Sequence, residues 1–279
     1  EAGYDCDRVG SFSCSDPFLN RLYEKCCRTL YICMMDNFMD CPDRERGQWI
    51  GDVSIQVPQV FYTLSSSSVL LVQKAMADFI RCRQGKLLKG NVPGTAPCEL
   101  PSQSLHAIGT LGMYIKYYEF TGDSQYFELA MDPILDYLFL WDVSPDGVVH
   151  PREGDWQWYD HGPGVDAAVL ETVFYYMALE GALFMLKTLG RPADSKLAGR
   201  RDAIRENFER LFYRGDSYRS GGEADDRANA LAVLSGLAPK EHYEAIRHVL
   251  LHVKNSTPYM EGYVLEALAK MGHTDDMLR

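Results

Sequence analysis

Hydrophobic side chains in this sequence recur with helical spacing, and the segments that carry them follow two patterns. Residues 105–120, 167–189 and 228–237 are apolar nearly all round, which predicts helices enclosed by protein. The segments at 204–212 and 246–253 are charged except for one apolar stripe, which is typical of helices with one face in water. The sequence therefore predicts inner helices that alternate with outer helices.

The start of the first helix is encoded at Ser15-Asp16-Pro17, where a capping side chain precedes a proline in the first turn. No stretch sustains an alternation of polar and apolar residues, so the sequence predicts an all-α fold. The apolar spacing predicts helices near 16–35, 53–64, 66–84, 103–121, 124–141, 166–189, 195–212, 224–235, 239–253 and 258–271.

The connections between these helices differ in length in a regular way. Short connections are predicted at 64–66, 121–124, 189–195, 236–239 and 271–274. Longer ones are predicted at 36–52, 85–102, 142–165 and 213–223, and 254–257 is a short exception. In a ring of antiparallel helices, alternate connections lie at the same end. We therefore expect nearly all the long loops to gather at one end of the fold.

This arrangement predicts a toroid of α-helical hairpins. Six helical hairpins need twelve helices, whereas the pattern yields ten, so we expect the domain to lack its last helices. The predicted organisation is a lead-in from an upstream region at residues 1–14 and an incomplete (α/α)6 domain at residues 15–279.

Composition excludes several classes of protein. Apolar content of 46% and charged content of 24% are typical of globular proteins, so the chain is not disordered as a whole. A net charge of -11 and a pI near 5.1 argue against nucleic acid and anionic membrane surfaces as partners. No run approaches 18 consecutive apolar residues, so we predict no membrane-spanning segment.

The chain opens on Glu1-Ala2-Gly3, without an initiating methionine or a signal peptide, and therefore looks like part of a longer polypeptide. Its compartment cannot be read from this start. All eight cysteines lie within the first 98 residues, without a C-x-x-C pair or a Cys/His ligand spacing, so we predict no zinc site.

The first long loop contains a dense cluster of charged residues. It reads Asp40-Cys41-Pro42-Asp43-Arg44-Glu45-Arg46-Gly47-Gln48-Trp49-Ile50-Gly51-Asp52. Pro42, Gly47 and Gly51 shape the backbone, and Trp49 places an indole beside the charges. Carboxylates held by arginines next to an aromatic ring suit a sugar, because acids act on the glycosidic oxygen and a flat apolar face packs on the ring. A solvated, well-capped surface turn uses similar residue types.

The same segment resembles the signature of the alpha-L-rhamnosidase family, glycoside hydrolase family 78, whose catalytic domain is an (α/α)6 toroid. The residues that carry the resemblance are Asp40-Cys41-Pro42, Arg44-Glu45-Arg46, Trp49 and Gly51-Asp52. The family pattern usually reads Asp-Cys-Pro-x-Arg-Asp-Glu-Arg-x-Gly-Trp-x-Gly-Asp. This chain is one residue shorter before the glutamate and has Gln48 where glycine is usual.

The resemblance implies that Glu45 is the general acid that protonates the leaving glycosidic oxygen. It further implies that Asp40 and Arg44 bind sugar hydroxyls and that Trp49 packs on the sugar ring. A glutamate between two arginines can act as an acid only where desolvation offsets their charges. Asp43 is the alternative acid, because the missing residue makes the alignment before Glu45 ambiguous. Alternatively, the arginines merely neutralise the neighbouring aspartates.

A second aromatic segment lies in the loop between residues 143 and 165. It reads Gly154-Asp155-Trp156-Gln157-Trp158-Tyr159-Asp160-His161-Gly162 and resembles the family's Gly-Asp-Trp segment, which lines the sugar pocket. The resemblance implies substrate contacts for Asp155 and Trp156, and after them for Trp158 and His161. The alternative is an aromatic plug that covers the end of the toroid.

Other polar residues near the predicted site have structural explanations. The spacing from Asp142 to Glu153 matches a calcium-binding EF-hand loop, but prolines interrupt it and an ordinary β-turn explains it equally well. We therefore predict no metal site. Glu99 and His106 lie in or next to the loop that is predicted to rim the site, so they are further candidates for substrate contacts. A lone histidine on an apolar helix, however, is more typical of a satisfied core group.

A glycosidase of this type needs a second carboxylate. In the family, the general base lies in a Trp-Glu motif on a later loop, and no such motif follows here, so we expect the base beyond residue 279. The resemblance thus implies an inverting hydrolase of terminal alpha-L-rhamnosides that needs no cofactor.

The implied partners are a rhamnose-containing glycoside or polysaccharide and upstream β-rich domains of the same polypeptide. A periplasmic or extracellular location suits such a substrate. Two alternatives stay open, a toroidal glycosidase for another sugar and a non-catalytic carbohydrate-binding domain.

Overall fold

The computed structural model describes residues 3–94 and 97–278. Within them the chain forms eleven α-helices: α1 (Pro17–Ile32), α2 (Ile50–Thr63), α3 (Val69–Arg81), α4 (Pro101–Ile108), α5 (Met113–Thr121), α6 (Gln125–Leu138), α7 (Ala167–Thr188), α8 (Ser195–Phe212), α9 (Asp226–Leu234), α10 (Tyr243–His252) and α11 (Pro258–Lys270). The loop between α6 and α7 contains an antiparallel hairpin of two short strands, β1 (Asp142–Val143) and β2 (Val149–His150).

Capping side chains determine where several helices begin. Asp16 accepts a hydrogen bond from the N–H of Phe18 at 2.7 Å, and Pro17 occupies the first position of α1, as the sequence predicted. Asp166 caps α7 and Asp194 caps α8 in the same manner. These local signals fix the starts of both inner and outer helices.

The helices form two layers, which confirms the predicted all-α (α/α)6 architecture. The inner layer contains α2, α4 with α5, α7, α9 and α11, and each inner helix packs against the next in this order. The outer layer contains α1, α3, α6, α8 and α10, of which α6 and α8 lie against α7. Every residue of α4 is buried, whereas α8 buries only the stripe Leu197, Ile204, Phe208 and Phe212.

Helix α7, with 22 residues, is the longest helix in the described part of the chain. Its length and hydropathy would suffice to cross a membrane, but 83% of its most apolar stretch is buried inside the protein. Its Glu171 is also buried and accepts hydrogen bonds from the Trp141 indole at 2.7 Å and the Tyr159 hydroxyl at 2.9 Å. These two hydrogen bonds satisfy a carboxyl group that the fold has removed from water.

The prediction of one helix at 103–121 is wrong, because the chain leaves the helix after Ile108 and starts again as α5. A Cβ atom at Gly112 would lie 2.2 Å from the carbonyl oxygen of His106. A Cβ atom at Gly181 of α7 would lie 2.3 Å from the carbonyl oxygen of Ile108. These two glycines allow a sharp turn after α4 and direct contact between the turn and the α7 backbone.

We expect Gly181→Ala to lower the free energy of unfolding by about 2 kcal/mol, because the new methyl group meets a backbone carbonyl that cannot move aside. Gly199→Ala in α8 is the matched control. Its methyl group meets open space, and replacing glycine in a helix interior stabilises by up to about 1 kcal/mol. Urea unfolding measures both changes. A Gly181 variant as stable as the parent would contradict the close approach.

Residues 4–10 pack along the junction between α2 and α3. The N–H groups of Val9 and Gly10 both donate to the Thr63 carbonyl oxygen at 3.0 Å. The N–H of Ser65 donates to the Asp7 carbonyl oxygen at 2.8 Å. The predicted boundary of the lead-in at residue 14 stays a prediction.

The long connections lead into inner helices, so they gather at one end of the fold as predicted. Loops at 33–49, 82–100 and 139–166 precede α2, α4 and α7. The stretch that matches an EF-hand spacing forms the β1–β2 turn, where the N–H of Gly147 donates to the Ser144 carbonyl oxygen at 3.0 Å. The loops therefore surround the N-terminal ends of the inner helices, which carry a partial positive charge.

Candidate active site

A pocket of about 220 Å³ lies where these loops meet. Seven of the eight site residues predicted from the sequence line it: Asp40, Arg44, Glu45, Trp49, Trp156, Trp158 and His161. The other lining residues are Asp52, Leu100, Gln103 and Tyr259. A larger hollow of about 420 Å³ lies along α1, but its one carboxyl group, on Glu24, is paired with Arg8. Of these two cavities, the smaller one combines several acids with an aromatic wall and contains the predicted motif residues.

The Glu45 carboxyl group has two partners in the pocket wall. The indole N–H of Trp49 donates to Oε2 at 2.9 Å, and the Arg44 guanidinium pairs with Oε1. The side chain is 37% exposed, so a bound molecule can reach the carboxyl group. Asp43, the alternative acid, is exposed and is not among the residues that line the pocket. The fold thus brings Glu45 rather than Asp43 to this site.

The loop from Asp40 to Gly47 is closed by two hydrogen bonds between its ends. The N–H of Asp40 donates to the Gly47 carbonyl oxygen at 2.9 Å, and the N–H of Gly47 donates to Asp40 Oδ1 at 2.9 Å. Arg46 adopts a left-handed backbone with φ of 54°, which is uncommon for a residue with a side chain. Its guanidinium contacts the Met35 sulfur at 2.9 Å instead of an aspartate. This closed loop presents Glu45 to the pocket.

Asp52 is a candidate site residue that the sequence reasoning missed. It lies in the first turn of α2 and lines the pocket. Burial raises the pKa of Asp52 to about 7, and the negative charges of Asp40 and Glu45 add to this effect. Asp52 therefore holds a proton at mildly acidic pH and can donate a hydrogen bond. The signal that could have found it is its position in the same motif as Glu45.

The floor of the pocket is built from the first turns of three inner helices, which contribute Asp52, Gln103 and Tyr259. Gly51 allows these helices to approach one another. A Cβ atom at Gly51 would lie 2.3 Å from the Tyr259 hydroxyl and 2.9 Å from Gln103 Cγ. The N–H of Gly51 also donates to Gln103 Oε1 at 3.3 Å. A glycine is therefore required at position 51 by contacts with helices that are distant in sequence.

His106 and Glu99 are core groups that support the site from outside the pocket. Both ring nitrogens of His106 are hydrogen-bonded, Nδ1 to the Tyr259 hydroxyl at 3.1 Å and Nε2 to the Tyr263 hydroxyl at 2.6 Å. Burial lowers the pKa of His106 to about 4, so the ring is neutral. Glu99 is buried and pairs with Arg152 at 2.6 Å. The prediction that His106 is a satisfied core histidine is confirmed.

Aromatic rings form one wall of the pocket. The Trp158 ring lies edge-on to the Tyr259 ring at a centroid distance of 4.6 Å and to the His161 ring at 5.3 Å. Trp156 is 52% exposed although it lines the pocket. Rings of this kind offer flat apolar surface for packing against a ligand.

Asp155 is the one predicted site residue that the fold does not bring to the pocket wall. Its Oδ2 accepts hydrogen bonds from the Glu99 N–H at 2.6 Å and from Lys89 Nζ at 3.1 Å. The Glu99 N–H and the Lys89 ammonium hold the pKa of Asp155 below its usual range. Asp155 therefore anchors the loop that carries Trp156, and its direct contact with a substrate stays a prediction.

Comparison with known proteins identifies the family. The model of the bacterial alpha-L-rhamnosidase 6 hairpin glycosidase domain matches residues 7–278. Among curated proteins, no sequence matches this chain.

Solved structures resemble the chain at low identity. It is similar to a GH78 family rhamnosidase of Bacillus sp. GL1, with 22% identity and a TM-score of 0.85 over 99% of this chain and 31% of that one. It is similar to the Streptomyces avermitilis alpha-L-rhamnosidase complexed with L-rhamnose, with 18% identity and a TM-score of 0.77 over 98% and 27%.

A rhamnosidase from Klebsiella oxytoca with rhamnose bound shows 18% identity and a TM-score of 0.80 over 97% and 55% of the two chains. The chain thus spans between about a quarter and about half of the length of these three proteins. At these identities the structural likeness shows the fold, whereas the domain match over nearly the whole sequence shows the family. The chain belongs to the bacterial alpha-L-rhamnosidase six-hairpin glycosidase family.

Proposed function

We propose that this chain carries the acid half of the catalytic site of an enzyme that hydrolyses terminal alpha-L-rhamnosides. The observation that carries the proposal is the Glu45 carboxyl group, which is positioned by the Trp49 indole and remains accessible in a pocket that also holds Asp52. In this reaction Glu45 gives its proton to the glycosidic oxygen while the bond from that oxygen to the anomeric carbon breaks. A sugar that covers Glu45 removes water from it, and loss of water favours the neutral form of a carboxyl group.

We propose that the remaining pocket residues bind the sugar through two kinds of contact, polar and apolar. Asp40, Arg44 and the protonated Asp52 offer hydrogen bonds to the sugar hydroxyls. Trp49, Trp156, Trp158 and His161 offer rings to its apolar faces. Charged groups and aromatic rings both line this pocket, which suits a ring with both kinds of surface.

In the proposed inverting mechanism, a base activates water on the face of the sugar opposite Glu45. Asp52 is a poor candidate for this base below about pH 7, because it then holds a proton. One oxygen of Asp40 already accepts the hydrogen bond from Gly47 that closes its loop. We therefore propose that the base comes from a part of the natural polypeptide outside these residues.

Hydrolysis of a panel of aryl glycosides by the natural polypeptide tests the proposal. We expect the alpha-L-rhamnoside to be cleaved at least tenfold faster, in kcat/KM, than the corresponding fucoside, arabinoside or glucuronide. Proton NMR of the first product shows whether the anomeric configuration inverts. Preference for another member of the panel would assign a different sugar to the same fold. Binding of L-rhamnose without turnover of any member would favour the non-catalytic carbohydrate-binding domain.

A further inference from the structure

Asp160 joins the loop segment that carries Trp158 and His161 to the segment that carries Tyr259, and these two segments form the aromatic wall. It lies between Trp158 and His161 and is buried. Its Oδ2 accepts a hydrogen bond from the N–H of Thr257 at 2.8 Å, and its Oδ1 accepts one from the Thr257 hydroxyl and one from the His161 N–H. Thr257 immediately precedes α11 and lies two residues before Tyr259. One carboxylate thus connects the Trp158 segment directly to the Tyr259 segment.

A fully buried guanidinium, that of Arg227, supports this joint. Its Nη2 donates to the Pro163 carbonyl oxygen at 2.6 Å, and its Nη1 donates to the Asn255 carbonyl oxygen at 3.5 Å. Nη1 also lies 3.6 Å from Asp160 Oδ2, and Nε donates to Asp225 Oδ1 at 2.7 Å. The guanidinium therefore binds the backbone of both segments as well as the carboxylate between them. Its planar set of donors suits this role, which a single ammonium group could not fill.

The backbones of the Trp158 segment and the Tyr259 segment approach each other closely at this point. A Cβ atom at Gly162 would lie 1.7 Å from the Asn255 carbonyl oxygen, so the backbones are in direct contact. Burying charged groups requires a large desolvation free energy, and apolar packing alone would hold the two loops together without it. A buried charged cluster is better suited to fixing one geometry, and a binding wall needs its rings held to within about 0.5 Å.

We propose that Arg227 and the Asp160–Thr257 joint are positioning residues that fix Trp158 against Tyr259 and thereby set the affinity of the pocket for its sugar. This inference rests on the proposed function of the pocket. Neither Arg227 nor Thr257 lines the pocket, so both act through the wall that they hold.

Thr257→Val tests the joint, because it removes the hydroxyl that donates to Asp160 and keeps the shape of the side chain and the backbone N–H. We expect KM for an aryl alpha-L-rhamnoside to rise roughly tenfold, the effect of one lost hydrogen bond, while kcat changes less than twofold. The wall touches the sugar in the ground state and the transition state alike, so its displacement weakens both equally.

Thr172→Val is the matched control. Thr172 is also buried, its hydroxyl donates to the Ala168 carbonyl oxygen within α7, and it is not among the residues that line the pocket. We expect parent values of KM and kcat. A KM increase of equal size in both variants would show that any buried threonine has this effect and would overturn the proposal.

A second measurement reports the position of Trp158 without any turnover. The chain has four tryptophans, so 5-fluorotryptophan labelling gives four fluorine NMR signals, and Trp158→Phe assigns one of them. The Trp158 signal should shift or broaden in Thr257→Val and stay unchanged in Thr172→Val. Arg227→Lys, which keeps the charge but cannot reach both carbonyl oxygens, should reproduce the shift and the KM increase if it folds.

Each outcome decides the proposal separately from the proposed function. An unchanged Trp158 signal in Thr257→Val means that the joint does not position the wall, whatever the enzyme hydrolyses. A shifted signal with unchanged KM means that the wall does not set affinity. A parent that cleaves no glycoside refutes the proposed hydrolase. The dissociation constant of L-rhamnose, measured by calorimetry, then replaces KM, and an equal constant in parent and variant overturns the positioning role.

Discussion

Replacing Glu45 by glutamine is expected to lower kcat about a thousandfold for an alpha-L-rhamnoside with a poor leaving group and to leave KM within about threefold of the parent value. Steady-state kinetics on the natural polypeptide measure both constants. Glutamine keeps the shape of the side chain and an oxygen that can accept the Trp49 hydrogen bond. It has no proton to give to the glycosidic oxygen. The substrate therefore still binds, but the bond breaks without acid assistance.

Two further measurements separate this role from a structural one. A dinitrophenyl rhamnoside has a leaving group that needs no proton, so Glu45→Gln should reduce its cleavage much less. Asp43→Asn should hydrolyse both substrates like the parent, because Asp43 is exposed and outside the pocket lining. A Glu45→Gln variant that keeps most of its activity on the poor leaving group would remove the acid assignment. Loss of activity in Asp43→Asn would transfer the role to that residue.

Asp52→Asn is expected to make the protein more stable at alkaline pH and to change its stability little at pH 4. Below pH 3.8 Asp52 is protonated in both the folded and the unfolded chain. Between pH 3.8 and about 7 the unfolded chain releases this proton while the folded chain retains it, so the free energy of unfolding falls as pH rises. Above pH 7 the accumulated loss is about 4 kcal/mol, which asparagine, having no charge to bury, avoids.

Urea unfolding of the parent and the variant at pH 4.5 and pH 8.5 measures this effect. The quantity of interest is the change in the difference between the two proteins, since any packing cost of the asparagine is the same at both pH values. Asp43→Asn serves as the control, because its carboxyl group is exposed and lies outside the pocket lining. If the Asp52 difference is equal at both pH values, its carboxyl group ionises normally in the folded protein.

The layers of the fold could be predicted from the sequence because they depend on periodicity. Apolar residues all round α7 and a single stripe on α8 distinguish inner from outer helices without tertiary information. The break between α4 and α5 could not be predicted in this way. Gly112 is compatible with a helix, and its role depends on the carbonyl oxygen of His106, while contact of the turn with α7 depends on Gly181.

The site shows the same division between local and distant causes. Glu45 and Trp49 lie four residues apart, so their hydrogen bond follows from a short motif. Asp52 belongs to the same motif, but its raised pKa depends first on burial, to which the folded inner helices contribute. Asp155 was predicted to touch substrate because of its neighbours in sequence. Its carboxylate binds Lys89 and the backbone of Glu99, contacts that no local pattern encodes, and its contact with a substrate stays a prediction.

The hydrogen bonds between Asp40 and Gly47 have a consequence for how this motif can change during evolution. The chain is one residue shorter before Glu45 than the usual family signature, and that contraction lies inside the closed loop. Because the ends of the loop are tied to each other, insertions or deletions within it need not shift Trp49 or the inner helices. Glu45, the proposed acid, thus lies on a loop whose length can change without displacing the floor of the pocket beneath it.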